Sequence, residues 1–229
     1  MALDCPGYEQ AAKIVENIGD EALFYKVGLE LYTAAGDALL RMLCDAGKQI
    51  FLDLKLFDIP NTVQRTCASI ATKNVALTTI HTLGGRTMMK AARKGTDTEL
   101  AGGAKSAKIL GVTILTSLDE ETLRNELYIP KSIPFMVREL ALTARSCGLD
   151  GVVASGLELP LLRDYLGPDF IIVTPGIRPA GEAAQDQKRV LTPQQAFERG
   201  ASYIVVGRPV VAADNPRDAM RRIIDQAGA

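Results

Sequence analysis

Eight short apolar runs recur along this chain, at residues 2–4, 24–28, 50–55, 77–81, 109–115, 151–155, 171–174 and 203–207. They read as short, apolar, β-branched segments, as buried strands do. The segments between them carry apolar residues at helical spacing: Ala11, Ala12, Ile14, Val15 and Ile18, then Ala38, Leu39, Met42 and Leu43, then Ile133, Met136, Val137, Leu140 and Ala144. Eight such units in 229 residues average about 29 residues each, the size of a minimal strand–helix unit. Runs that are apolar on both faces suit parallel strands covered by helices. Eight of them close most simply into a (β/α)8 barrel, the TIM-barrel form of the α/β class. A doubly wound open sheet competes, but it usually has fewer strands, and no G-x-G-x-x-G follows an early run. No Pro/Ser-rich linker interrupts the pattern, so residues 1–229 read as a single domain.

Composition narrows the partners. Lys and Arg total 26 against 27 Asp and Glu, a formal charge of −1, so nothing favours broad nucleic-acid or anionic-membrane binding. Any anion must be met by a local site. The four cysteines, Cys5, Cys44, Cys67 and Cys147, form no C-x-x-C pair, and His81 is the sole histidine, so neither a zinc centre nor a His-rich metal site is expected. Free buried thiols fit a reducing compartment. The first residues show neither a basic n-region nor an apolar core, and no apolar run is long enough to span a bilayer, so the expected location is cytoplasmic.

Two connections are longer than the rest. Residues 117–149 carry one helical pattern over 118–127 and a second after Pro130. Residues 178–190 are polar, rich in Gly and Ala, and follow the seventh run, which makes them a candidate lid. Residues 101–106, A-G-G-A-K-S, read as a mobile connection.

The chemistry concentrates in I-F-L-D-L-K-L-F-D-I-P-N-T. Asp53 and Lys55 are two apart and so project from one face of a strand. On an edge strand they could simply face water, with Ile50, Leu52 and Leu54 inward. In a barrel the outward face is covered by helices, so the charges point into the mouth. Asp58 can be read as a turn or cap residue ahead of Pro60, or as part of the site. Lys26, in F-Y-K-V-G, can snorkel to the surface or reach the mouth. If both reach it, the site holds two ammonium groups alternating with two carboxylates. A cationic lysine can donate a proton but is a poor Schiff-base nucleophile.

A phosphate site is the second signal. Barrels often hold phosphate at the ends of their last two strands. Those ends read T-P-G-I-R-P, with Arg178, and V-V-G-R-P-V, with Gly207 and Arg208. Glycine admits close backbone approach and arginine offers a bidentate fork. Other strand ends carry weaker candidates. His81 reads as structural more readily than catalytic; Thr116 and Ser117 could meet a polar ring, or Ser117 could cap a helix; Ser155 reads as packing or capping; and Asp4 could accept from hydroxyls or serve a turn.

Taken in order, A-L-D, F-Y-K-V-G, F-L-D-L-K-L-F-D-I-P-N-T, V-T-P-G-I-R and I-V-V-G-R-P resemble the orotidine 5′-monophosphate decarboxylase family over essentially the whole chain. The resemblance implies loss of CO2 from orotidine monophosphate to give UMP, the last step of de novo pyrimidine synthesis, with no metal and no cofactor. It implies that Lys26, Asp53, Lys55 and Asp58 form the charged catalytic network, with Lys55 protonating C6 and Asp53 facing the substrate carboxylate. Lys26 would hold a ribose hydroxyl and orient the network, and Asp4 would accept from the ribose. Asp58 and Thr62 would cross to the neighbouring subunit's site, which implies a two-fold homodimer. Thr116 would lie at the pyrimidine, Arg178, Gly207 and Arg208 would hold phosphate, and Gln187 would close from the lid onto phosphate and base.

Two other readings compete. Sister barrels, the sugar-phosphate decarboxylases and hexulose-phosphate synthases, share D-x-K-x-x-D but use Mg²⁺ and place a carboxylate where this chain has Lys26. A lysine there repels a divalent cation. A catalytically silent nucleotide-binding barrel is the other, although a mere binder has no use for a buried proton donor.

Overall fold

The computed structural model describes residues 1–97, 107–179 and 191–228. Seven strands form one sheet in sequence order, every neighbouring pair parallel: β1 (Phe24–Gly28), β2 (Gln49–Leu56), β3 (Leu77–His81), β4 (Lys108–Val112), β5 (Gly151–Val153), β6 (Ile171–Thr174) and β7 (Tyr203–Ile204). The first expected run contributes no regular strand. Ala2 instead makes a single parallel bridge to Lys26. Its N–H donates to the Val206 carbonyl at 2.7 Å, while Leu3 N–H and Lys26 N–H exchange bonds with the Lys26 and Met1 carbonyls at 3.0 and 2.7 Å. Residues 1–3 thus lie between β1 and the segment after β7 and join the two edges of the sheet. Asp4 already leads into the turn before the next helix, so the segment is too short for a ladder.

Helices cover the outside: α1 (Tyr8–Ile18), α2 (Leu29–Asp45), α3 (Pro60–Ala71), α4 (Gly85–Thr96), α5 (Glu120–Asn125), α6 (Ile133–Ser146), α7 (Leu159–Leu166), α8 (Pro193–Glu198), α9 (Arg208–Val211) and α10 (Pro216–Ala227). Their starts are chemically marked. Ser132 accepts from Phe135 N–H ahead of α6, Thr192 and Gln195 form a reciprocal capping box on α8, and Asn215 accepts from Asp218 N–H ahead of α10. The cap of α5 is Asp119, whose carboxylate accepts from Thr122 N–H at 2.9 Å, so Ser117 does not have that role.

Alternation along β2 divides the core. Ile50 and Leu52 join the large apolar layer between sheet and helices, whereas Phe51 joins Leu77, Leu110, Ile171 and Val173 in a smaller cluster enclosed by the curved sheet. Each fully buried Leu or Ile contributes roughly 1.5–3 kcal/mol. The inward face changes character toward the C-terminal ends of the strands, from Phe51 to Asp53 in β2 and from Leu77 to Thr79 in β3. The apolar runs at 109–115, 151–155 and 203–207 outlast their strands because their last residues, among them Ile114, Leu115, Ala154 and Val205, line the cavity at that end.

Candidate active site

A cavity of about 250 Å³ opens at the C-terminal ends of the strands. Eight of the residues singled out in the sequence line it: Asp4, Lys26, Asp53, Lys55, Thr116, Arg178, Gly207 and Arg208. Four form an alternating row of charge. Lys26 Nζ stands 3.2 Å from Asp4 Oδ1 and 3.8 Å from Asp53 Oδ2, and Lys55 Nζ stands 2.8 Å from the same Asp53 oxygen. Asp53 is buried, at 7% exposure, and a buried carboxylate is costly unless each oxygen is met. Here Oδ2 faces the two ammonium groups and Oδ1 accepts from the Thr79 hydroxyl at 2.8 Å. Two ammonium groups and two carboxylates thus alternate at the mouth, but the second carboxylate is Asp4, and Asp58 is not part of this row.

The backbone beneath this row is irregular. Leu52 pairs with Thr78 but Leu56 pairs with Ile80, so four residue steps of β2 run against two of β3. Within that bulge Lys55 has φ +50°, a left-handed conformation that costs a non-glycine residue on the order of 1–3 kcal/mol. The surroundings hold it in place: Lys55 N–H donates to Thr79 Oγ1 at 2.8 Å. Thr79 was not singled out in the sequence. Its only signal there is a hydroxyl two residues after inward-facing Leu77, on the strand beside D-L-K, and the adjacent Thr78 blurs that signal.

After β6, Arg178 is buried and its Nη1 donates to the Ile177 carbonyl at 2.9 Å. The bridge between Ile177 and Leu191, with Arg178 N–H donating to the Leu191 carbonyl at 3.0 Å, ties together the two ends of the expected lid. Gln187, most of residues 178–190 and the connection at 101–106 lie outside the described residues. Arg208 is exposed and opens α9 directly after Gly207. A Cβ on Gly207 would come within 2.8 Å of Asp4 Oδ2 and 3.3 Å of Ala2 Cβ, so glycine is what lets the segment after β7 pass this close to the charged row. Thr116 lines the cavity from the turn after β4.

Asp58 and Thr62 do not enter this cavity. Both are exposed, at the start of α3, and Asp58 Oδ1 accepts from Ile59 N–H at 2.6 Å rather than capping the helix. Phe57 and Ile59 beside them are 61% and 66% exposed. His81 ends β3 with Nδ1 accepting from Leu83 N–H at 3.4 Å and its ring stacked on Phe57. Burial, and then the Lys55 charge, hold its pKa below the ordinary value of 6.5. Ser155 Oγ accepts from Leu157 N–H at 3.3 Å, a turn role.

A family model described as orotidine 5′-phosphate decarboxylase / HUMPS family matches residues 1–223. The chain belongs to this family. Among its relatives, an orotidine 5′-phosphate decarboxylase of Moorella thermoacetica is 45% identical over 224 residues, covering 97% of this chain and 89% of that protein. One from Geobacter sulfurreducens is 46% identical over 226 residues, covering 99% and 94%. The crystal structure of orotidine 5′-phosphate decarboxylase from Lactobacillus acidophilus superposes with a TM-score of 0.89 at 41% identity, covering 100% of this chain and 97% of that one. Family membership and the 0.89 superposition support the TIM-barrel-type architecture, and the charged row lies at the strand ends where barrels of this kind carry their chemistry.

Proposed function

We propose that this protein decarboxylates orotidine 5′-monophosphate to UMP and CO2 in pyrimidine biosynthesis, without metal or cofactor. The observation that carries the proposal is the row Asp4–Lys26–Asp53–Lys55, spaced at 3.2, 3.8 and 2.8 Å, in a cavity that Arg178 and Arg208 also line. A substrate with a phosphate at one end and an acidic ring at the other fits that combination.

In this reading phosphate binds at Arg178, Gly207 and Arg208, and Gln187 reaches phosphate and base. Asp4 and Lys26 take ribose hydroxyls, and Thr116 meets the pyrimidine. Breaking the bond between C6 and its carboxyl group releases CO2 and leaves the electron pair on C6. The Lys55 ammonium stabilises that charge and passes its Nζ proton to C6, forming the C6–H bond, and water then reprotonates the amine. Asp53 fixes Lys55 and stands against the departing carboxylate. Lys26 sits between the two carboxylates of the row, where a divalent cation would otherwise bridge them, which disfavours the Mg²⁺-dependent sister activity.

The active form in this proposal is a homodimer in which Asp58 and Thr62 complete the partner's site. Their exposure outside the cavity of their own chain, beside exposed Phe57 and Ile59, supports that arrangement. Four free cysteines suit the cytoplasm, and among the described residues no helix is long and apolar enough to cross a membrane.

The deciding experiment follows the loss of orotidine-monophosphate absorbance in the presence of EDTA, with UMP identified as product. Rapid conversion is the expected result. A folded dimer that binds UMP but turns nothing over would favour the silent nucleotide-binding barrel, and turnover of sugar phosphates only with Mg²⁺ would favour the sister enzymes.

A further inference from the structure

Thr79 sits in the middle of β3, fully buried, and is not among the residues that line the cavity. Its hydroxyl nevertheless touches both halves of the Asp53–Lys55 pair. A hydroxyl has one proton to give and lone pairs to receive with, and its two neighbours dictate the sense of each bond. The Lys55 backbone N–H can only donate, so Thr79 Oγ1 accepts there, at 2.8 Å. The Asp53 carboxylate accepts, so the Thr79 proton points to Oδ1, also at 2.8 Å.

Two consequences meet at the same atoms. The bulge between Leu52 and Leu56 takes Lys55 out of regular pairing with β3, and the Thr79 hydroxyl supplies an acceptor for its N–H, holding the left-handed backbone that aims the side chain. Occupation of Oδ1 also turns the other Asp53 oxygen, Oδ2, toward Lys55 Nζ at 2.8 Å and Lys26 Nζ at 3.8 Å. Without the hydroxyl, Asp53 Oδ1 loses the donor that fixes it, the carboxylate is held from its Oδ2 side alone, and the strained lysine loses the bond that offsets its conformation.

We propose that Thr79 is a positioning residue for the decarboxylation, setting the Lys55 backbone and the Asp53 carboxylate through one hydroxyl. The inference rests on the reading of Lys55 as proton donor. A displacement of ~1 Å in such a pair is worth on the order of 100-fold in rate. Because Thr79 does not line the cavity, the loss belongs in kcat and not in nucleotide affinity.

The test compares Thr79→Val, which keeps the shape and removes the hydroxyl, with Thr79→Ser, which keeps the hydroxyl. Orotidine-monophosphate turnover is measured per folded enzyme, and UMP affinity is measured by calorimetry. For Thr79→Val a fall in kcat of roughly 10- to 100-fold is expected, with UMP affinity within about threefold of the parent and kcat restored to within about threefold by Thr79→Ser. Should the valine variant fail to fold, Thr79→Cys, which keeps the volume but bonds weakly, must show the same loss and the same rescue by serine. A folded valine or cysteine variant with kcat within about threefold of the parent overturns the proposal, as does a fall in kcat matched by an equal loss in UMP affinity. If the parent enzyme itself does not decarboxylate, or Lys55→Ala leaves its rate unchanged, the reading of the site has failed and not the role of Thr79 alone.

Discussion

The β2–β3 side of the cavity and the start of α9 after β7 both carry charge but hold it differently. Asp53 and Lys55 come from one strand, bond to each other at 2.8 Å, and share Thr79 as a second partner under a strained backbone. Arg208 stands exposed at the start of a four-residue helix. The contrast separates two tasks. A charge set against a breaking bond must be in place before substrate arrives, since reorganisation at that moment would add to the barrier. An exposed cation such as Arg208 can be ordered by an anionic ligand that brings its own strong charge.

The sharpest way to break this contrast is Lys55→Ala. Turnover should fall by at least about 10³-fold with the fold intact, because both the proton donor and the charge facing C6 disappear. Substantial residual rate in a folded protein, by the absorbance assay, would remove lysine from the donor role. The next largest effect concerns the group that a single chain leaves outside its cavity. Lys55→Ala and Asp58→Ala, each inactive alone, should recover about one quarter of the parent activity when mixed at equal amounts and allowed to exchange subunits. Half the dimers are then hybrids, and each hybrid has one intact site of two. No recovery despite demonstrated exchange would return Asp58 to a turn role.

At the proposed phosphate end, Arg208→Ala should raise KM by roughly 10- to 100-fold, the worth of one charge-assisted hydrogen bond, while kcat changes less. A purely kcat effect would erase the proposed division between the two ends. The smallest expectation is a pH effect at His81, whose single imidazole resonance should titrate with a midpoint below 6.5. The unfolded chain takes up that proton near the ordinary value and the folded chain resists it. Stability is therefore full above pH 6.5 and declines as pH falls below it, lowering Tm by a few degrees at most. A midpoint at or above 6.5 would show that neither burial nor Lys55 acts on the ring.

Much of this arrangement could be read from residue order. The runs at 24–28, 77–81 and 171–174 coincide with β1, β3 and β6 to the residue. The pairing of Asp53 with Lys55 followed from spacing once a barrel was assumed, and Lys26 and Asp4 join them through the parallel bridge of Ala2 to Lys26. The bulge in β2 was not legible. A lysine at φ +50° has no sequence mark of the kind glycine would supply, and the residue that stabilises it lies on another strand. Thr79 was hidden for the same reason: its importance is a matter of register between strands, which spacing along one strand does not encode.

The seam closed by Ala2 ties the integrity of the site to the completion of folding. Ala2 and Val206 stand about two hundred residues apart in sequence, a separation typical of contacts that form late. Asp4, two residues on, is held to Lys26 by the same closure. An intermediate with every other strand paired would have most of its helices and its apolar layers, yet its row of charge would end at Lys26. Catalytic competence then reports the last step of assembly, and gentle denaturant should silence the enzyme before it erases the helical signal.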